Sequence, residues 1–154
     1  MTVAIGKKLP AFSLPRSDGS TWKTSDSTGA RLVLFFYPKA MTPGCTLEGQ
    51  DFRDLHAAFK RAKTTVLGIS KDSCERQAKF RAKEEFPFEL LSDEDEKVCR
   101  LFDVIKEKSL YGRKFMGIER STFLFDGAGK LAREWRKVRV KGHAAEVLEA
   151  AKAL

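Results

Sequence analysis

The run Leu32-Val33-Leu34-Phe35-Phe36-Tyr37 is apolar without a break, in a chain whose other hydrophobic positions are mostly spaced. It is too short for a typical helix, so it predicts a strand covered on both faces and ended by Pro38. Beyond it the period changes. Phe52, Leu55, Phe59 and Ala62 recur at helical spacing and predict a helix with one apolar stripe. Residues 64–69 are β-branched and apolar, a second strand. Asp72-Ser73-Cys74-Glu75 then offers an N-cap with an acid after it, opening a helix to about Glu85. Residues 88–91 predict a short strand, followed by a helix start with acids at 93–96, where they favour the helix dipole, and by the apolar trio Val98, Leu101 and Phe102.

Two hairpins frame this series. Residues 12–14 and 21–23 flank Ser17-Asp18-Gly19-Ser20, and residues 120–125 and 130–135 flank Asp126-Gly127-Ala128-Gly129. Residues 112–117 read as a loop, and Ala144, Val147, Leu148 and Ala151 share one face of a closing helix. Strands alternating with helices and ending in a hairpin predict an α/β fold: a central mixed β-sheet flanked by helices, with an N-terminal hairpin.

Length and composition narrow the picture. A chain of 154 residues that is 42% hydrophobic predicts one domain spanning 1–154 with one good core. No apolar run approaches a membrane span, and the N-terminus lacks the basic-then-apolar order of a signal peptide, so the expectation is a cytoplasmic protein. Three irregularly spaced cysteines argue against a disulfide framework, and no Cys/His cluster has zinc-ligand spacing. The formal charge is +8, spread along the chain with one concentration at Arg136-Lys137-Val138-Arg139-Val140-Lys141. As an extended strand this segment would place Lys137, Arg139 and Lys141 on one face and the two valines on the other. A solvated strand face explains it better than a nucleic-acid patch.

The candidate chemistry lies just after the first buried strand, in Pro38-Lys39-Ala40-Met41-Thr42-Pro43-Gly44-Cys45. Thr42 is a good N-cap and Pro43 suits the first helical position, which puts Cys45 third. Free backbone N–H groups and the positive end of the helix would face the sulfur, an arrangement that favours a nucleophilic thiolate.

At these residues the chain resembles the peroxiredoxins, thiol peroxidases with the motif Pro-x-x-x-Thr-x-x-Cys, here Pro38, Thr42 and Cys45. Tyr37-Pro38-Lys39 before the motif, Pro43-Gly44-Cys45-Thr46 within it, and Gly117-Ile118-Glu119-Arg120-Ser121-Thr122-Phe123 downstream extend the resemblance over nearly the whole chain. The wording Pro-Gly-Cys-Thr and the short C-terminus are similar to the bacterioferritin-comigratory (PrxQ) subfamily. The resemblance implies a thioredoxin-like fold, a Cys45 sulfenic acid formed by a hydroperoxide, Thr42 and Arg120 binding the peroxide oxygens, and Pro38 shielding the pocket. Glu48 matches a position that orients the arginine. It further implies a monomer, no metal or organic cofactor, and an external thiol reductant such as thioredoxin, glutaredoxin or glutathione.

The chain departs from its relatives at the second thiol. Positions where a resolving cysteine usually stands hold Gln50 and Arg81. The expectation is a one-cysteine enzyme, with Cys74 as an alternative resolving thiol and Cys99 as a core residue. His56 and His143 sit on helical segments and need no catalytic role. Two other readings remain open: a disulfide reductase, which the absence of Cys-x-x-Cys after Cys45 opposes, and a basic nucleic-acid-binding protein with an incidental thiol.

Overall fold

The computed structural model describes residues 3–154; Met1 and Thr2, at the start of the predicted domain, lie outside the described residues. The continuous apolar run becomes β3 (Arg31–Phe36), the middle strand of a five-stranded sheet. On one side of it lie β4 (Thr64–Ser70) and β5 (Glu89–Ser92), both parallel to it. On the other lie β8 (Ser121–Phe125) and β9 (Leu131–Trp135), β8 antiparallel to β3 and β9 antiparallel to β8, so the sheet is mixed as expected.

Both faces of β3 are buried, which is why the run is continuous. Val33, Phe35 and Tyr37 enter one core with Phe52, Phe59, Phe80 and Val147, from α1 (Pro43–Asp54), α2 (His56–Arg61), α3 (Cys74–Glu84) and α5 (His143–Lys152). Leu32, Leu34 and Phe36 enter the other with Val98 and Cys99 of α4 (Lys97–Leu101) and with Leu14 and Trp22. The last two belong to the N-terminal hairpin, β1 (Ser13–Pro15) with β2 (Thr21–Lys23). Among the described residues no helix is long and apolar enough to cross a membrane.

Three expectations need correction. The apolar stripe from Phe52 to Ala62 spans two helices, α1 and α2, because the chain leaves helical geometry at Leu55 (φ −100°, ψ 5°). Residues 112–117, expected as a loop, lie mostly in β7 (Arg113–Ile118), which pairs in register with β6 (Ile105–Leu110). This hairpin stands off the main sheet with most of its side chains exposed, so it carries no alternating apolar face to betray it. Its legible signal is Tyr111-Gly112, both at positive φ (52° and 78°), a two-residue turn that matches strand twist. Residues 136–141 are irregular rather than a strand, and Lys137 has a φ of 51°. The expected alternation survives: Lys137, Arg139 and Lys141 are exposed and the valines half-buried.

Register decides what meets at one end of the sheet. Phe36 at the end of β3 pairs with Ser121 at the start of β8, and Thr122 pairs with Trp135 at the end of β9. Residues following β3, preceding β8 and following β9 therefore converge. The root of the β6–β7 hairpin joins them, since the Glu119 N–H donates to the Val104 carbonyl at 2.7 Å.

Helix α1 sits close enough to its neighbours that a Cβ on Gly49 would lie 2.3 Å from Phe86 Cζ. Gly49→Ala is expected to destabilise the fold by about 1–3 kcal/mol through overpacking. A lower denaturant midpoint at an unchanged slope would show it, and an unaltered midpoint would mean that the Phe86 ring moves aside at no cost.

Candidate active site

After β3 the chain runs through a loop held from below by the β4–α3 connection. The Ala40 N–H donates to Asp72 Oδ2 at 2.7 Å, and Arg76 donates to the Ala40 carbonyl at 3.2 Å while pairing with Asp72 at 3.1 Å. Both polar backbone groups of Ala40 are thus occupied. Met41 adopts a φ of 67° and Thr42 returns to extended geometry as the N-cap residue, with Pro43 opening α1. The position of Thr42 agrees with the sequence, but its side chain does not cap: its hydroxyl donates to the Lys39 carbonyl at 2.8 Å. Its oxygen lone pairs remain for an incoming donor.

Cys45 occupies the third helical position and is 2% exposed. Arg120, from the short link between β7 and β8, reaches it across the sheet end. Its Nη2 donates to Cys45 Sγ at 3.4 Å, and its Nη1 donates to Glu48 Oε1 at 2.6 Å. Glu48, one turn after Cys45, is 1% exposed, and its second oxygen has no hydrogen-bond partner among the described residues. Burial pushes the Glu48 carboxyl up to about 7 against the opposing pull of Arg120. Burial also acts against the charge of Arg120, yet the Glu48 carboxylate and the Cys45 sulfur more than offset it and hold the guanidinium above its ordinary value. Gly44 permits this approach, since a Cβ there would lie 3.2 Å from Arg120 Nη2.

Behind Arg120, His143 Nε2 and Thr122 Oγ1 lie 2.8 Å apart in the core. Burial pushes His143 down to about 4, so the ring is neutral at pH 7. The sequence did not single out Lys108. It lies half-buried on β6, opposite Phe115, with its stem beside the bare position of Gly117. Burial, and then the Arg120 charge, lower its basicity, which puts its ammonium within electrostatic range of the site. No signal for it existed without the β6–β7 pairing.

Residues 5–134 match the family model described as the AhpC/TSA family. The chain belongs to the AhpC/TSA family, the peroxiredoxins. It is 50% identical to peroxiredoxin Bcp of Bacillus subtilis over 152 residues, 99% of this chain and 97% of that one. Among solved structures it resembles a cysteine variant of Xylella fastidiosa PrxQ, with a TM-score of 0.93, 43% identity and coverage of 99% and 98% of the two chains. It also resembles the Xanthomonas campestris bacterioferritin comigratory protein, studied in trapped intermediate and ligand complexes for its alkyl peroxide reduction activity. There the TM-score is 0.88 and the identity 48%, over 92% of this chain and 90% of that one. The expected thioredoxin-like peroxiredoxin fold is therefore present.

In this peroxiredoxin no disulfide links Cys45, Cys74 and Cys99. Cys99 is buried on α4 beside Asp93, and burial first, then that carboxylate, push its thiol far up. Cys74 is the first residue of α3 and half-buried. Gln50 donates to Glu84 at 2.8 Å, and Arg81 holds the Phe88 carbonyl and Glu89, so both substituted positions serve helix packing.

The raised Glu48 carboxyl sets a pH dependence. Its folded value lies above the ordinary 4.5, so its contribution to stability is fully present below pH 4.5 and is lost as pH rises through about 7. The loss is on the order of 3 kcal/mol. Glu48→Gln is expected to flatten the stability profile between pH 4.5 and 7, measured by urea unfolding across that range. An unchanged slope would assign the dependence elsewhere.

Proposed function

We propose that this thiol-dependent peroxidase uses the Cys45 thiolate as its nucleophile, with Arg120 and Thr42 binding the peroxide. The observation that carries the reading is the single guanidinium shared between Cys45 Sγ and Glu48 Oε1. Glu48 fixes the plane of the guanidinium, and the remaining N–H faces the sulfur, where it stabilises negative charge. The sulfur attacks one peroxide oxygen, the O–O bond breaks, and water or an alcohol leaves once its oxygen gains a proton. Sulfur is oxidised to sulfenic acid and the peroxide is reduced.

Thr42 takes a defined part in this step. With its own proton given to the Lys39 carbonyl, its oxygen accepts from the peroxide O–H and orients the bond being broken. Pro38, half-buried between Tyr37 and this loop, screens the pocket from bulk water. The substrates are hydrogen peroxide and alkyl hydroperoxides, an extension supported by the activity studied in the Xanthomonas campestris relative. The scheme calls for no residue from a second chain, and the expected monomer stays part of this reading. Because Gln50 and Arg81 are engaged in packing, the sulfenic acid is reduced by an external thiol.

Cys45→Ser is expected to abolish peroxide consumption with the fold intact. Thr42→Val and Arg120→Met are expected to slow sulfenic acid formation by roughly ten- to a thousandfold, the scale of a lost oxyanion donor. Stopped-flow oxidation tests this, and rates within about twofold of wild type in both variants would remove both residues from the transition state. After a stoichiometric peroxide pulse, intact mass should show one added oxygen on Cys45. A Cys45–Cys74 disulfide, with turnover stalled in Cys74→Ser, would instead make Cys74 the resolving thiol. Excess peroxide without reductant should carry Cys45 on to sulfinic acid and inactivate the enzyme.

A further inference from the structure

A surface cavity of about 410 Å³ is lined by Lys137, Arg139 and Lys141 together with Trp135, His143 and Glu146. The three cations are exposed and have no ion-pair partner among the described residues. The neighbouring Arg136 differs: it is committed to Glu134 and to the carbonyls of Phe102 and Asp103. Among the described residues Glu146 is the only acid lining the cavity, and Arg133 engages it at 3.9 Å. The cavity is therefore lined by unneutralised positive charge.

This charge is joined to the reacting centre. Val138, between Lys137 and Arg139, donates its N–H to the carbonyl of Arg120 at 3.0 Å, and the Arg120 side chain ends on Cys45 Sγ. Cys45 itself is recessed, with 2% of its surface exposed and the Arg120 side chain 15% exposed. A reductant must pass a slender thiol inward and leave its charged groups outside. With no intramolecular thiol at positions 50 or 81, the enzyme also lacks the high effective concentration that a resolving cysteine provides. Fixed positive charge on the segment bonded to the Arg120 backbone raises the local concentration of an anion in its place.

We propose that the Lys137–Arg139–Lys141 cavity is the binding site for the reducing substrate, and that this substrate is a small thiol bearing carboxylate groups. The inference rests on the Cys45 sulfenic acid reading given above. The carboxylates sit among the three cations while the thiolate attacks Cys45 sulfur. The S–O bond breaks, an S–S bond forms, and the oxygen leaves as hydroxide that takes a proton to become water. A second thiolate then attacks the outer sulfur of the mixed disulfide, releasing the Cys45 thiolate and a small disulfide. The Cys45 sulfur is reduced and two thiols are oxidised.

Sequential-mixing stopped flow separates the steps: one equivalent of hydrogen peroxide first, then 3-mercaptopropionate, 2-mercaptoethanol or cysteamine. The quantity compared is the wild-type rate divided by that of the combined Lys137→Gln, Arg139→Gln, Lys141→Gln variant for each thiol, a ratio that cancels intrinsic nucleophilicity. The expected ratio is about fivefold or more for the anionic thiol at low salt, near one for the neutral thiol and below one for the cationic thiol, with all three converging as salt screens the site. Sulfenic acid formation should be the same in both proteins. Ratios near one for all three thiols would overturn the assignment. So would a charge ranking that appears only when anionic and neutral hydroperoxides are compared in the oxidation step, because the cavity would then serve the oxidant. Failure to form any sulfenic acid would instead sink the peroxidase reading itself.

Discussion

The buried pair between Arg120 and Glu48 is the constraint around which the active end of this protein is organised. A guanidinium taken out of water loses much solvation, and so does the carboxylate, so such a pair is weak as a source of stability. Its value is geometric. One nitrogen is spent on Glu48 at 2.6 Å, and the planar fork leaves the other aimed at Cys45 Sγ. Because Glu48 follows Cys45 by one helical turn, the acid and the thiol present themselves to the same arginine from one face of α1.

The surrounding structure holds this triangle from three directions. The loop before α1 is pinned at Ala40 by Asp72 and Arg76, so the helix start cannot drift relative to β4. Arg120 is fixed behind by the Val138 N–H on its carbonyl and on either side by the β3–β8 and β8–β9 registers. Gly44 leaves room for the guanidinium, and Gly49 lets α1 settle against Phe86. The mixed sheet acts as a jig that brings three separate chain segments together at one end of its strands.

The same arrangement explains how a chain without the usual second thiol can still have room for a reductant. Gln50 and Arg81 have become links between α1, α3 and β5, with hydrogen bonds to Glu84, Phe88 and Glu89. The basic segment that follows β9 meanwhile lies against Arg120 with three side-chain cations unpaired among the described residues. On the proposed reading, the thiol that reduces Cys45 arrives from the solvent side.

The sequence by itself determined the local features. Apolar continuity marked β3, Thr42-Pro43 marked the start of α1, and the resemblance around Cys45 and Arg120 named the two ends of one hydrogen bond. These are legible because they depend on neighbours along the chain. Tertiary structure alone decided that the Thr42 hydroxyl turns to Lys39 and does not cap, and that the Glu48 carboxyl rises to about 7 through burial. It also decided that Lys108 stands near the thiol and that residues 136–141 bend around Arg120 rather than extend as a strand. Each of these turns on burial or on a partner tens of residues away, and periodicity carries no record of either.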